Sequence, residues 1–319
     1  MVSGFVVLVV ATFHIFEAES GRLRPPPHIF GGEETKPNQY PWVVTVQISK
    51  PGKTPATCGG ALLSVSDKEK ADIVLTAAHC VTEYKCSGPN ETNCAWQLGD
   101  VSSVTVVAGN HYLQQSEKEE EGRLATLIEP HPDWKADMNA CTRDEAPTSA
   151  CHSNDLALIK VFGTFKLTNA IKAVRVPEQN ENIPDPSHCT VAGWGVYTEV
   201  DDNDPNAAKN LRPSNELRSV NVIVSDTAEC AQAYKEAPEK FVRLMCARAE
   251  NRNGTSCAGD SGGPLWCNTP DRGPTIYGVV SGSSGTCGAN IISVYVNVAQ
   301  YSTWIQDFTK RASAVKKTP

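Results

Sequence analysis

The sequence predicts an antiparallel all-β protein of the sandwich or barrel kind, closed by one C-terminal helix. Two observations carry this. Short β-prone runs recur along most of the chain with Gly, Pro and Asn between them. A single late segment has helical spacing instead, with Val298, Tyr301, Ile305 and Phe308 on one face.

In chain order, residues 5–13 (FVVLVVATF) form an apolar run followed by the small-residue site Ala18-Glu19-Ser20. This pattern predicts a signal peptide over residues 1–20 and therefore a secreted, extracellular protein. The run is far shorter than the roughly 20 residues that span a bilayer, so no membrane association is expected. Residues 21–28 (GRLRPPPH) are basic and proline-rich, a composition that does not fold alone and that predicts a removable activation peptide. The body begins at Ile29 and extends over residues 29–319. Its β-prone runs are 42–48, 72–76, 103–109, 156–162, 189–195, 219–224, 276–282 and 292–298.

Between these runs lie stretches that read as surface loops: 83–95, 133–153 and 199–215. The run Glu117 and Glu119–Glu121 reads as a solvated loop, with calcium as the alternative occupant of so many carboxylates. The formal charge of -7 argues against a nucleic-acid binder. All 12 cysteines lie in the body. An even number in an exported chain predicts disulfides, and no cysteine–histidine spacing suggests zinc, so no metal site or cofactor is expected. Two sequons, at Asn90 and Asn253, are candidate glycosylation sites, with Asn90 favoured.

Three short motifs carry chemistry. Gly259-Asp260-Ser261-Gly262-Gly263-Pro264 has the glycines that let a serine stand on a tight turn with backbone N–H groups nearby, as an attacking hydroxyl requires. A plain Gly-rich turn is the bland alternative. Thr76-Ala77-Ala78-His79-Cys80 places a histidine at the end of an apolar strand, able to act as a base or merely to be hydrogen-bonded there. Asn154-Asp155-Leu156-Ala157-Leu158 puts a carboxylate before a strand apolar enough to be buried, where it could orient a histidine ring or cap a turn.

Together, in the order His79, Asp155, Ser261, these motifs resemble the chymotrypsin/trypsin family of serine endopeptidases. Ile29-Phe30-Gly31-Gly32, Pro41-Trp42, Cys58-Gly59-Gly60, Gly193-Trp194-Gly195 and Ser281 ahead of Cys287 extend the resemblance over nearly everything from Ile29 to Phe308. It implies two packed antiparallel six-stranded β-barrels with a C-terminal α-helix, the boundary between barrels falling near residues 166–180. It implies Ser261 as nucleophile, His79 as general base, Asp155 as orienting carboxylate, and the N–H groups of Gly259 and Ser261 as the oxyanion site. It implies an ion pair between Asp260 and the amino terminus of Ile29 after activation.

The resemblance also implies the disulfides Cys58–Cys80, Cys189–Cys267, Cys230–Cys246 and Cys257–Cys287. Cys86, Cys94, Cys141 and Cys151 are then left to pair most simply as 86 with 94 and 141 with 151. The expected partners are protein or peptide substrates and protein protease inhibitors, and the expected state is a monomer. The specificity pocket is implied at Thr255, Ser281, Gly282, Ser283 and Ser293. A neutral Thr255 at its base disfavours cationic side chains, and Ser283 and Ser293 narrow it. Elastase-like cleavage after small or medium uncharged residues is therefore expected, with chymotrypsin-like cleavage as runner-up. A non-catalytic protease-like binding protein is the reading from another class, although no motif residue is missing.

The chain departs from the pattern in three places. His28, rather than a basic residue, precedes Ile29; Phe30 follows it; and Gly282 stands where a tryptophan is common.

Overall fold

A computed structural model describes residues 32–50, 52, 54–64, 71–87, 93–134, 153–196, 213–251, 254, 256–283 and 290–314. The expected leader and activation segments, Ile29, Asn90, Cys141, Cys151, Asn253, Thr255 and Cys287 lie outside the described residues.

The first half supplies strands β1 (Glu33–Glu34), β2 (Val43–Ile48), β3 (Ala56–Ser64) and β4 (Ile73–Thr76). A short helix α1 (Ala78–Val81) leads to β5 (Thr82–Ser87) and β6 (Asn93–Leu98), and β7 (Val104–Ala108), β8 (Glu121–Pro130) and β9 (Ala157–Val161) follow. Strands β3, β2, β7, β8, β9 and β4 pair antiparallel in that order, and β4 returns to β3, so this sheet closes into a barrel of six. The second half gives β10 (Val174–Arg175), β11 (Cys189–Gly193), β12 (Arg218–Ser225), α2 (Thr227–Tyr234), β13 (Leu244–Ala249), β14 (Pro264–Thr269), β15 (Gly273–Ser283), β16 (Ser293–Asn297) and α3 (Ser302–Ala314). Here β14, β11, β12, β13, β16 and β15 close a second six-stranded barrel through the β14–β15 pairing. The two-barrel fold expected from the sequence is the fold observed.

Closure explains the apolar runs: a barrel strand buries one side chain in two in its lumen, and strands at the barrel–barrel junction bury the other side as well. Val44, Val46, Val106, Ile159 and Val161 fill the first lumen, and Val191, Leu265, Tyr277 and Tyr295 the second. A third cluster lies between the barrels, where Leu63, Leu75 and Leu158 of the first meet Leu244, Val279 and Val294 of the second and Ile305 and Phe308 of α3. At roughly 1.5–3 kcal/mol for each large side chain removed from water, this junction couples the two halves. Strand β10 adds a backbone link, pairing parallel with β3 on one edge and β15 on the other.

The C-terminal helix docks as its spacing indicates, with Ile305, Phe308 and Ala312 buried. It begins at Ser302, however; Val298 to Gln300 form a separate 3₁₀ turn, capped by the Asn297 side chain on the Ala299 N–H. Within the expected surface loop 83–95, residues 83–87 and 93–95 instead lie in the paired antiparallel strands β5 and β6, whose register sets Cys86 opposite Cys94. Disulfides join Cys58 to Cys80, Cys189 to Cys267 and Cys230 to Cys246, and Cys257 is also disulfide-bonded. Among the described residues no helix is long and apolar enough to cross a membrane.

Candidate active site

Strand β4 ends in the junction between barrels, and His79 follows it in the first turn of α1. That turn begins at Ala77, which has no side chain able to cap it. The cap comes instead from Asp155, at the entrance to β9: its Oδ1 accepts the His79 backbone N–H at 2.9 Å while its Oδ2 accepts the ring Nδ1 at 2.7 Å. One carboxylate therefore fixes both the backbone and the ring of the same histidine. Ser281, near the end of β15 in the other barrel, donates its hydroxyl to Asp155 Oδ2 at 2.6 Å. Ser281, an expected pocket residue, therefore also touches the carboxylate that holds His79.

Asp155 is 1% exposed. Burial opposes its ionisation, but the His79 charge and the hydrogen bonds from the His79 ring, Ser281 and the His79 N–H outweigh burial and hold its pKa below the usual carboxylate value. For His79, burial alone would lower the pKa. The Asp155 charge and hydrogen bond override it, and the net shift is upward. The arrangement is an imidazole locked in one tautomer by Nδ1, with Nε2 on the other side of the ring and a side chain about a third exposed (32%). Chemically, such a ring can take up and return a proton.

Ser261 lies on a turn pressed against the same strand ends. Its carbonyl accepts the Gly59 N–H at 2.8 Å, and Gly262 donates to Val280 at 2.8 Å. Gly262 has φ +80°, and a Cβ there would fall 2.2 Å from Thr76 Oγ1 and 2.6 Å from the Gly59 carbonyl. Only glycine lets this turn approach so closely the end of β4, the strand that leads into His79. Among the described residues no hydrogen bond joins Ser261 Oγ to His79 Nε2, a contact that commonly tightens only once substrate is bound. The N–H groups of Gly259 and Ser261 have no acceptor among the described residues.

Asp260, next to Ser261, is fully buried, and its carboxylate accepts the N–H groups of Gly195 and Cys257, each at 2.8 Å. It lies so close to Gly193 and Gly195 that a Cβ at either would fall within 2.4 Å of a carboxylate oxygen. This explains the Gly193-Trp194-Gly195 motif. Burial raises the Asp260 pKa to about 6 despite the two backbone hydrogen bonds.

On the far side of Ser281, Gly282 and Ser283 are half-buried at the end of β15, and Ser283 pairs with Ser293 of β16. Ser293 is 1% exposed. The hydroxyl of buried Tyr295 sits with Ser256, 3.4 Å away, and Ser293, and burial pushes its pKa up to about 12. Tyr295 thus stays a neutral hydroxyl beside those of Ser256 and Ser293.

Cys58, His79 and Cys80 could together resemble a metal site, but the two sulfurs are bonded to each other and offer no thiolate. Of the acidic run, Glu117 accepts the N–H groups of His111 and Tyr112, and Glu121 pairs with Arg123.

Residues 29–305 match the family described as Trypsin. The chain belongs to the trypsin family of serine endopeptidases. It is similar to human chymotrypsin-like elastase family member 3B (28% identical, covering 89% of this chain and 90% of that one). Mouse granzyme B(G,H) is 28% identical over 88% of this chain and 91% of its own length, and mouse kallikrein-1 29% identical over 88% of each. Proteins of this family act on protein or peptide substrates.

Two residues of this trypsin-family chain, Ser256 and Tyr295, adjoin the expected pocket positions without belonging to any of the motifs. Ser256 directly follows Thr255, and Tyr295 lies two residues beyond Ser293, so the alternation of β16, which turns both side chains to one face, was the available signal. In the sequence Asn154 is only the neighbour of Asp155, yet its amide joins three segments of the chain.

Proposed function

We propose that the chain is a secreted endopeptidase, made as a precursor, in which Ser261 attacks the peptide carbonyl and His79 takes its proton. His79 returns the proton to the leaving amine, and water then repeats the cycle on the acyl-enzyme. Asp155 holds the ring and stabilises the imidazolium. The N–H groups of Gly259 and Ser261 stabilise the oxyanion. The observation that carries this reading is the Asp155 carboxylate, buried and fixed on both the backbone and the ring of His79 beside the Ser261 turn. A non-catalytic protease-like binding protein has no need for that arrangement.

Cleavage after His28 would free the amine of Ile29 to pair with Asp260, a buried carboxyl with no cationic partner among the described residues. The neutral hydroxyls of Ser256, Ser293 and Tyr295 support a pocket that rejects Arg and Lys. Together with Ser283 they favour small or medium uncharged P1 residues. A larger apolar P1 is the second reading, since Gly282 leaves the neighbouring side open. Protein inhibitors are the proposed regulators and a monomer the proposed state. A P1 peptide library decides the specificity: Ala, Val or Leu should lead, and dominant Arg or Lys cleavage, absent from the Ser261→Ala control, contradicts it.

A further inference from the structure

The loop that presents Asp155 is held from outside the first barrel, by residues remote from the reacting atoms. Asn154 has φ +59°, a left-handed backbone that Asn tolerates better than most residues. Its own carbonyl accepts the Leu156 N–H at 2.7 Å, so Asp155 stands at the apex of a very tight turn. Nothing in that turn alone dictates where the apex points.

The Asn154 amide supplies the missing restraint. Its Oδ1 accepts the Tyr301 hydroxyl at 2.9 Å and an Arg243 guanidinium N–H at 3.0 Å, and its Nδ2 donates to the Asp133 carbonyl at 3.3 Å. Arg243 also lies over the Tyr301 ring, 6.0 Å from its centre. On the other face of the turn, His131 donates its backbone N–H to the Leu156 carbonyl at 2.8 Å, while its ring packs edge-on against Tyr301 and Trp304. Arg243 immediately precedes β13 of the second barrel, and Tyr301 immediately precedes α3.

We propose that Asn154 is a positioning residue through which Arg243 and Tyr301, from the second barrel and the C-terminal segment, set the orientation of Asp155 and hence of the His79 ring. This rests on the catalytic roles proposed above. Displacements of an ångström at a reacting group can cost about a hundredfold in rate, and Asp155 must satisfy the His79 ring, the His79 N–H and Ser281 at once. The groups facing the Asn154 amide are Arg243, Tyr301 and the backbone of Asp133, with His131 behind Tyr301; those facing Asp155 are His79 and Ser281.

The test uses the full activated chain, with active sites counted by a fluorophosphonate probe and folding checked by thermal unfolding. Asn154→Gly keeps the backbone conformation accessible and removes the amide; Tyr301→Phe removes one hydroxyl and keeps the ring. The expected result is a fall in kcat of about ten- to a hundredfold for Asn154→Gly and a smaller fall for Tyr301→Phe, at nearly unchanged KM. The acid limb of the pH profile should move to lower pH, because a loosened Asp155 raises the His79 pKa less. Folded variants with wild-type kcat and an unmoved acid limb, or with only KM changed, overturn the proposal. If Asn154→Gly does not fold, Tyr301→Phe decides alone by the same criteria. Asp155→Asn and Ser261→Ala distinguish the two levels: if either keeps full activity, the triad assignment itself fails.

Discussion

The chemistry at His79 is set by competition between desolvation and one carboxylate. Burial favours the neutral ring, yet two interactions with Asp155 raise the pKa above its ordinary value of 6.5. A base must be neutral to accept the serine proton, so activity falls as pH drops through this raised pKa. The pH profile of kcat/KM should show an acid limb above pH 6.5, and Asp155→Asn should both displace it to lower pH and reduce kcat by about 10⁴-fold. An acid limb unchanged by Asp155→Asn would mean that another group titrates. The stability linkage has the opposite sense. The ionised His79–Asp155 pair contributes its stability in full between about pH 4 and pH 6.5; the contribution is lost as pH rises through the raised His79 pKa and as pH falls through the lowered Asp155 pKa. Activity and this contribution to stability are therefore separated in pH.

At the scale of elements, the Ser261 turn and α1 are brought together by backbone contact and by the Cys58–Cys80 bridge, which ties β3 to the residue after His79 across 22 positions. Replacing both cysteines by Ala should cost about 2–4 kcal/mol in urea unfolding. It should also lower kcat more than replacing Cys189 and Cys267, which bridge β11 and β14 in the second barrel. Equal losses of kcat would show that the bridge does not position His79.

The elements that were legible in the sequence were those with unbroken apolar runs, such as Val43–Ile48 and Ala157–Val161. Strand β3 hides because Gly59 and Gly60 interrupt its run. Strand β8 hides because Leu124 and Leu127 on it stay substantially exposed, which breaks the alternation. Helix α2 is only eight residues long and buries just Cys230 and Ala231, too narrow a face for periodicity to detect. Its cap was readable in principle, since Asp226 accepts the N–H of Glu229 three residues on. The site was more legible than the fold around it. Ser261 and His79 each sit in a short motif of constrained residues, whereas the Ser281 hydroxyl on Asp155 and the contacts of the Asn154 amide with Tyr301 and Arg243 exist only once the barrels pack.

Across the whole molecule, Asp260 links the proposed cleavage at Ile29 to the Ser261 turn. With its pKa at about 6 and no cation beside it among the described residues, ionised Asp260 destabilises the uncut chain by roughly 3 kcal/mol. That penalty is absent below about pH 4, builds between about pH 4 and about 6, and is complete above. An Ile29 amine paired with it reverses the sign. The chain cut after His28 should therefore have the higher Tm at pH 7.5, the difference should vanish near pH 4, and Asp260→Asn should abolish it. An active protein whose amino terminus is not Ile29 contradicts this scheme.

The most direct test of the central claim is to label the activated chain with a fluorophosphonate and find the modified residue by peptide mass spectrometry. Stoichiometric label on Ser261, lost in Ser261→Ala and strongly slowed in His79→Ala, is the expected result. Peptidase activity that persists with Ser261 unlabelled, or label on any other residue, would contradict the account.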